Sequence, residues 1–476
     1  MNLYRKPKLG IMFIGAERFQ PLGEGTEEGT YKQRKALETK KYIDRIGEFA
    51  DIVCGETVYT REAADETVNR FYNEKVDGVI ACFLSWAEDF AWIRFLRELP
   101  PMPLLLVSFV RDSLSITDTN DENQFVDFLS AGALVGFQEA SGSFRRFNRP
   151  MSDICIGTVD QVMPKIRTFA NASKARALLR SSNLGLLACY NEAMWATYID
   201  PYNIFMKIGP EIHFLSVAEV VDEIEHTDDA VIDKIVKDLC DRYEVYPNVD
   251  MEKFHASVKA TYAMEEVAKK YDIDLLVLND IDTVLFKYVG LRPGFTPLDP
   301  NEERVTVPEG DIGGGLATYI LQMLGGRPAN FIEPFYIDHE NGGFVAGHAG
   351  PNHYHSGENT TIIARDERFA KSQWKHAGAP FAWHTFPAGI KTMLHMSEKD
   401  GKMKMVATLV ECLPTKHYLA SYSHANFKVL NGTPEELFQK ICENGVTQHY
   451  GIVDGDHLDE LEMLAKLMNF DFCRID

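Results

Sequence analysis

An acidic and a basic side chain stand in two neighbouring apolar runs of the stretch FIEPFYIDHENGGFVAGHAG, residues 331–350. Glu333 lies among apolar and aromatic residues, and His348 lies among small ones. The intervening Asn341-Gly342 tolerates the positive φ angles of a tight turn, so the two runs are predicted to pair as antiparallel strands. A carboxylate and an imidazole in strands of this kind are candidates for metal binding or catalysis.

The predicted hairpin places both side chains on one face. A two-residue loop sets Phe335 opposite His348 and Glu333 opposite Gly350, so Glu333 and His348 become diagonal neighbours about 7–8 Å apart. That separation suits two ligands of one metal ion but is too long for a direct hydrogen bond. A cation would also remove the cost of burying an unpaired carboxylate. On the hairpin alone, pairing with Arg or Lys, or a solvated face, stays open.

Two further residues favour the metal interpretation. Glu309, in VPEGDIGGGLATY, stands where a polar loop meets a helix, and the helix dipole alone would stabilise it there. The triple glycine that follows is poor helix material and predicts that a ligand or another chain approaches the backbone. His424, in ASYSHANFKVL, lies in a predicted strand, where a lone histidine is otherwise an ordinary core residue.

The elements that carry these residues change character along the chain. Up to residue 170, apolar runs such as KLGIMFIG alternate with amphipathic segments, and the alternation continues from 171 to 330. Such alternation is typical of a parallel sheet covered on both faces. After residue 330 the runs are short and turn-bounded, as in antiparallel β-structure. We predict an α/β fold: two doubly wound parallel-sheet domains, 1–170 and 171–330, then a β-rich, barrel-like antiparallel C-terminal domain, 331–476.

The sequence predicts where two helices begin or end. The segment PEGDIGGGLATYILQML, residues 308–324, opens with a helix-start signal and is followed by GGRP, a helix stop. In TPEELFQKICENG, Thr433 is the predicted N-cap, and Glu436 completes a capping box.

Composition limits the partners of this 476-residue chain. Its formal net charge of −21 would repel nucleic-acid phosphates and acidic membranes, so neither is expected as a partner. The eight cysteines form no C-x-x-C pair and mostly lie in apolar runs, which indicates reduced core residues. The N-terminus resembles no signal peptide, and no apolar segment is long enough to cross a membrane. We expect a cytoplasmic enzyme that acts on a small molecule.

Three motifs in order, PEGD…GLATYILQML, NFIEPFYID…FVAGHAG and SYSHANFKV, resemble the L-arabinose isomerase and L-fucose isomerase family. In L-arabinose isomerases the corresponding pieces are E-G-D before a helix, F-M-E-D-Y, V-L-G-x-H and a late H-H-T-x-F. The resemblance extends to the predicted architecture of the whole chain. It implies a metal-dependent aldose–ketose isomerase that converts a small sugar through a cis-enediol.

The resemblance implies a ligand set and catalytic roles. Glu309, Glu333, His348 and His424 match the four metal ligands, and the two glutamates also match the carboxylates of proton transfer. The implied metal is Mn²⁺, with Co²⁺ or Mg²⁺ as substitutes, and ligand type alone does not exclude Zn²⁺. We assign the C2 proton to Glu333 and the opposite end of the reaction to Glu309.

The family also shares its sugar site between subunits, which implies a homo-oligomer, a trimer or a hexamer. Candidate sugar contacts follow two predicted strands, where a crevice at the carboxyl ends would lie. They are Glu17, Arg18 and Gln20 after the first strand and Trp86 after the third, although each is also interpretable as an ordinary loop residue.

Departures from the family pattern concern the substrate. Ser423 replaces one histidine of the double-histidine motif, and Pro334 replaces an acid. The alternatives are an isomerase of a different or modified aldose and a non-catalytic sugar-binding protein. A local zinc cluster of His348, His353 and His355 is a further reading of HAGPNHYH.

Overall fold

The computed structural model describes residues 2–475, apart from the side chain of Glu358, and the chain folds into two compact units. The N-terminal unit comprises Arg5–Ala177 and Glu462–Asn469, and the main unit comprises residues 2–4, 178–461 and 470–475. The predicted boundary at 330/331 lies inside the main unit, so the division into three domains stays a prediction. None of the described helices combines the length and the apolar character needed to span a membrane.

The N-terminal unit is built on a parallel sheet whose central strands are almost wholly buried, as their uninterrupted apolar runs predict. The strands are β1 (Lys8–Ile14), β2 (Asp51–Cys54), β3 (Gly78–Phe83), β4 (Leu104–Phe109) and β5 (Ser152–Gly157). The helices are α1 (Tyr31–Gly47), α2 (Arg61–Asn73), α3 (Asp89–Glu98), α4 (Glu122–Ala131), α5 (Ala133–Phe147) and α6 (Val159–Leu179). The strand order β2-β1-β3-β4-β5 is a doubly wound order, in which the chain reverses direction next to β1.

A second parallel sheet opens the main unit. Its strands are β6 (Asn183–Leu187), β7 (Glu211–Leu215), β9 (Leu275–Leu278) and β10 (Val305–Val307), while β8 (Glu244–Val245) pairs elsewhere. The helices of this part are α7 (Pro201–Asn203), α8 (Val217–His226), α9 (Asp229–Arg242), α10 (Met251–Lys270), α11 (Thr283–Tyr288) and α12 (Ile312–Gly325). The order β10-β9-β6-β7 is again doubly wound.

An antiparallel barrel completes the main unit. Its elements, with two short strands beside them, are β11 (Asn330–Asp338), β12 (Gly343–His348), β13 (Ile362–Arg365), β14 (Pro380–Trp383), β15 (Gly389–Lys399), β16 (Lys402–Cys412), β17 (Ser423–Val429), α13 (Pro434–Glu443), β18 (Tyr450–Asp454) and β19 (Asp471–Ile475). Helix α14 (Leu458–Met468) precedes β19 in the chain, and most of it belongs to the N-terminal unit. Six strands close in the order β15-β18-β11-β12-β17-β16 through the β15–β16 pair, and β19 adds to β16 in parallel. The predicted fold class is confirmed, and so is the capping box of Thr433 and Glu436 on α13.

Helix α12 is buried along its length and packs between the parallel sheet and the barrel. A Cβ added at Gly315 would lie 2.9 Å from Val307 of β10, and one added at Gly451 of β18 would lie 2.7 Å from Thr318 of the helix. The helix ends at the predicted stop, where Gly326 adopts a left-handed conformation. Both layers therefore meet the N-terminus of α12, where Glu309 stands.

Candidate metal centre

Glu309 sits in the loop between β10 and α12 in a left-handed backbone conformation, with φ at +62°. Two buried side chains hold its peptide groups. The Glu309 N–H donates to Asp280 Oδ1 at 2.9 Å, and Asn191 Nδ2 donates to the Glu309 carbonyl at 2.9 Å. This conformation is unfavourable for a residue with a Cβ, and such residues concentrate at functional sites.

Glu309, His348 and His449 gather into one group, in which one ligand atom of each lies within 4.8 Å of the others. His348 Nε2 is 3.8 Å from Glu309 Oε1, and His449 Nε2 is 3.4 Å from Glu309 Oε2. All three residues are buried, and each comes from a different segment: the loop before α12, the end of β12 and the residue directly before β18. The barrel and the parallel sheet thus both contribute to the group.

Asp311 orients His449. The His449 Nδ1–H donates to Asp311 Oδ2 at 2.8 Å, while Asp311 Oδ1 caps α12 by accepting from the Gly314 N–H at 2.9 Å. A carboxylate that holds one ring nitrogen of a histidine leaves the other nitrogen free for a metal and fixes the ring orientation. Burial lowers the pKa of His449, but the hydrogen bond to Asp311 and the adjacent Glu309 carboxylate outweigh it and raise the pKa to about 9.

The two glutamates differ in charge behaviour. Burial raises the pKa of Glu309, but His449, His348 and Arg368 outweigh this effect and lower it to about 2. The pKa of Glu333 is raised by burial and by the charge of Glu309, against the opposing effect of His449. One carboxyl group is thus held ionised, and its neighbour keeps its proton more readily.

Two buried imidazole nitrogens indicate that this group could bind a cation. The Nε2 atoms of His348 and His449 have no hydrogen-bond partner among the described residues, and both lie near the Glu309 carboxylate. Imidazole and carboxylate are ligand types shared by Mn²⁺, Co²⁺ and Zn²⁺. Asp311 already orients His449, but the raised pKa keeps a proton on Nε2, which a cation must displace. His348 requires one adjustment. Its Nδ1 accepts from the Gly350 N–H at 2.9 Å, so the proton of the neutral ring is on Nε2 and must move to Nδ1, with loss of that hydrogen bond, before Nε2 can bind a cation.

Glu333 lies at the rim of this group, with Oε2 4.0 Å from His449 Nε2 and 23 % of its side chain exposed. The predicted register of its hairpin is wrong. Asp338 pairs with Gly343, so the loop holds four residues, and a bulge at Phe335 shifts the strand so that Glu333 pairs with Gly347. The proline before the bulge cannot donate to the ladder, which favours an irregularity there.

The structure does not bring His424 to the group. Its Nε2 accepts from the Tyr418 N–H at 3.4 Å, and its Nδ1 lies 3.1 Å from the Tyr422 carbonyl. His424 instead contacts the His417 ring, at 4.9 Å between centroids. Within the described part of the chain, the second histidine grouped with Glu309 and His348 is His449 rather than His424.

The local cluster of His348, His353 and His355 does not form either. His355 is held away by Tyr243 Oη at 2.5 Å and by the Pro297 carbonyl at 2.8 Å. His353 is buried rather than at the surface, and burial lowers its pKa to about 4. Among residues 2–475, the group with metal-ligand spacing is the one around Glu309.

The triple glycine has a structural explanation within this chain. A Cβ at Gly313 would lie 2.3 Å from the Met396 carbonyl oxygen of β15. A Cβ at Gly314 would lie 2.5 Å from the Phe331 ring and 3.1 Å from His449 Cβ. The backbone is approached by the barrel rather than by a ligand or another chain, and the missing side chains allow His449 to reach Glu309.

The candidate sugar contacts lie in the N-terminal unit, at the carboxyl ends of the adjacent strands β1 and β3. Arg18 stacks over the Trp86 ring at 4.8 Å and donates to Glu88 Oε1 at 2.8 Å. The Glu17 N–H donates to Glu88 Oε2 at 3.2 Å, and Gln20 follows the same 3-10 turn. Their proximity is consistent with a shared binding surface, but their role in binding stays a prediction.

His449 is the site residue that sequence reasoning missed. It directly precedes the apolar run YGIVD, which forms β18 and pairs with β11 next to Glu333. The sequence signal that could have identified His449 was its position directly before a buried strand. Neither the scan against protein-family models nor the search of curated proteins finds a match for this chain.

Proposed function

We propose that this protein is a metal-dependent aldose–ketose isomerase that acts on a small sugar, with Glu309, His348 and His449 as metal ligands and Glu333 as a catalytic carboxylate. The observation that carries the proposal is the convergence of these residues. Three buried ligand atoms lie within 4.8 Å of one another, and the second carboxylate stands 4.0 Å from His449 on the more exposed side. The resemblance of the motifs around Glu309, Glu333 and His348 to the arabinose and fucose isomerases supports the same reaction.

The metal is proposed to be Mn²⁺, with Co²⁺ or Mg²⁺ as substitutes. When bound, such a cation polarises a sugar carbonyl as a Lewis acid and makes the adjacent C–H more acidic. The chain's own contribution is a buried surrounding for the two imidazoles: His348 and His449 are buried, and the Phe331 ring centroid lies 4.9 and 4.6 Å from theirs.

The two carboxylates are assigned different tasks. Glu333 has the raised pKa and the partial exposure expected of a group that accepts the C2 proton and returns it to C1. Glu309 is ionised at rest, which suits a ligand, and we assign it the acceptance of the O2 hydroxyl proton and its return to O1, the former carbonyl oxygen. Arg368 Nη1 lies 3.7 Å from Glu309 Oε1, at the entrance, where it would contact a substrate oxygen.

The substrate and assembly follow from the same proposal. Ser423 and Pro334, which depart from the arabinose pattern, favour a different or modified aldose. A site completed by Arg18 and Trp86 of a second copy would require a homo-oligomer, a trimer or a hexamer, whose mass light scattering would measure.

A panel assay tests the function. The protein is stripped with EDTA, reloaded with Mn²⁺, Co²⁺, Mg²⁺ or Zn²⁺, and incubated with pentoses, hexoses and deoxyhexoses while ketose formation is followed. We expect turnover of at least one aldose that disappears with EDTA and returns with Mn²⁺. Sugar binding without turnover under any metal would instead identify a non-catalytic sugar-binding protein.

A further inference from the structure

Arg292 is a buried arginine beside the candidate metal centre. Its side chain is 1 % exposed, and its guanidinium carbon lies 5.1 Å from the ring centroids of both Phe369 and Phe381. Its Nε and Nη2 donate to Asp280 Oδ2 at 3.0 and 2.6 Å, and its Nη1 donates to Asp366 Oδ2 at 3.2 Å. One cation therefore bridges two buried carboxylates.

This arginine connects the backbones that carry two of the ligands. Asp280 Oδ1, the oxygen that does not face Arg292, accepts from the Glu309 N–H at 2.9 Å. Arg292 Nη2 also donates to the carbonyl of Ala349 at 2.6 Å, directly after His348. Glu309 and His348 lie in different layers of the main unit, and the guanidinium is a direct polar link between their segments.

A third connection reaches Arg368. Asp366 Oδ2 accepts from Arg292, and its Oδ1 accepts from the Arg368 N–H at 3.1 Å. Arg368 is the side chain that approaches Glu309 Oε1 from the exposed side. The segments that carry Glu309, His348 and Arg368 are thus all connected to the guanidinium of Arg292.

We propose that Arg292 is a positioning residue that holds Glu309, His348 and Arg368 at the separations needed to bind a divalent cation. The inference rests on the proposed function, because it concerns the same metal centre. Arg292 does not touch the ligand atoms and acts through Asp280, Asp366 and the Ala349 carbonyl.

Energetics favours this role over simple stabilisation. Burying an ion pair costs several kcal/mol per ion in desolvation, and apolar replacements are often neutral or stabilising. The planar fork of arginine can serve three acceptors in fixed directions, whereas the ammonium of lysine is a point charge without that geometry. Arg292 is costly to bury, yet four hydrogen bonds fix its orientation, and such a group is expected where geometry matters.

The test compares Arg292→Lys with a matched control, Arg149→Lys. Arg149 is a partly buried arginine of the N-terminal unit that also ties backbone carbonyls, those of Leu96, Leu99 and Pro100. Mn²⁺ affinity is measured by calorimetry on EDTA-stripped protein without sugar. Loss of a partner that orients metal ligands typically weakens affinity by about 10- to 100-fold, and we expect that loss for Arg292→Lys and none for Arg149→Lys.

Asp280→Asn provides a second variant, in case Arg292→Lys does not fold by circular dichroism. It preserves volume but cannot accept from both Glu309 and Arg292, so we expect a similar loss of affinity. Combined with Arg292→Lys, it should add little, because both changes break the same connection. Unchanged Mn²⁺ affinity in the folded variants would overturn the positioning role while leaving the metal centre intact. Absence of Mn²⁺ binding by the unaltered protein would overturn both proposals.

Discussion

The His449 Nδ1–H donates to Asp311 Oδ2 at 2.8 Å, and the same aspartate caps the buried helix α12. This pair joins the barrel strand β18 to the N-terminus of the helix, and it directs the other ring nitrogen of His449 towards Glu309. Carboxylate–histidine pairs of this kind fix the ring and raise its basicity as a ligand.

Asp311→Asn should separate these two tasks. Asparagine is as good an N-cap as aspartate, so α12 keeps its cap, but the single amide oxygen cannot also accept from His449, and thermal stability should therefore fall modestly. It removes the charge that orients His449, so Mn²⁺ affinity should fall by about 10- to 100-fold. Calorimetric titration with Mn²⁺ and thermal unfolding of the metal-free protein measure the two effects; equal Mn²⁺ affinity would contradict the assigned role.

His449→Gln and His424→Gln distinguish the ligand proposed from the structure from the ligand expected from sequence. Both histidines are fully buried in the barrel, which makes one a control for the other. We expect His449→Gln to weaken Mn²⁺ binding by more than about 100-fold, beyond the effect of losing an orienting partner, and His424→Gln to change it little. The opposite ranking would restore His424 as the ligand.

Glu333→Gln should affect the reaction more than the metal. Glu333 lies at the rim and is 4.0 Å from the nearest histidine nitrogen, so Mn²⁺ affinity should change less than after His449→Gln. As the assigned proton carrier, its loss should reduce kcat by about 10²- to 10⁴-fold on whichever aldose is turned over. Near-normal kcat would remove Glu333 from the mechanism.

The carboxyl group of Glu265, outside the candidate metal centre, should make the free energy of unfolding depend on pH. Burial raises its pKa from 4.5 to about 7, against hydrogen bonds from Thr296 and the Leu298 N–H. Between these values the folded protein binds more protons than the unfolded chain, so the free energy of unfolding should fall as pH rises from 4.5 to 7 and level off above.

The Glu265 contribution should total no more than about 3.5 kcal/mol, since its pKa rises from 4.5 to about 7 and one pKa unit corresponds to about 1.4 kcal/mol. Glu265→Gln should remove it and flatten the profile. Urea unfolding of both proteins in EDTA at pH 5 and pH 8 measures the difference. Identical pH profiles would show that Glu265 titrates normally in the folded state.

The architecture was predictable because its signals are local. Continuous apolar runs gave the parallel strands, and short turn-bounded runs gave the barrel. The stop of α12 at Gly326 and the capping box of Thr433 depend on neighbours within a few residues. Each of these features was available from the chain order alone.

The site was only partly predictable because its details depend on tertiary neighbours. The bulge at Phe335 changes the register of β11 and β12, and nothing in a turn sequence fixes the number of residues in a bulged strand. His449 reaches Glu309 because β18 pairs with β11 and the glycines of α12 admit the barrel. His424 lies in an equally apolar strand, so sequence pattern could not rank the two.

The left-handed backbone at Glu309 has a consequence for attempts to engineer this protein. At φ of +62°, glycine or asparagine would relieve local strain that a glutamate maintains. Directed evolution that rewards heat resistance alone would therefore tend to replace this residue and yield robust but inert variants. Thermostabilised libraries of this protein should keep glutamate at position 309.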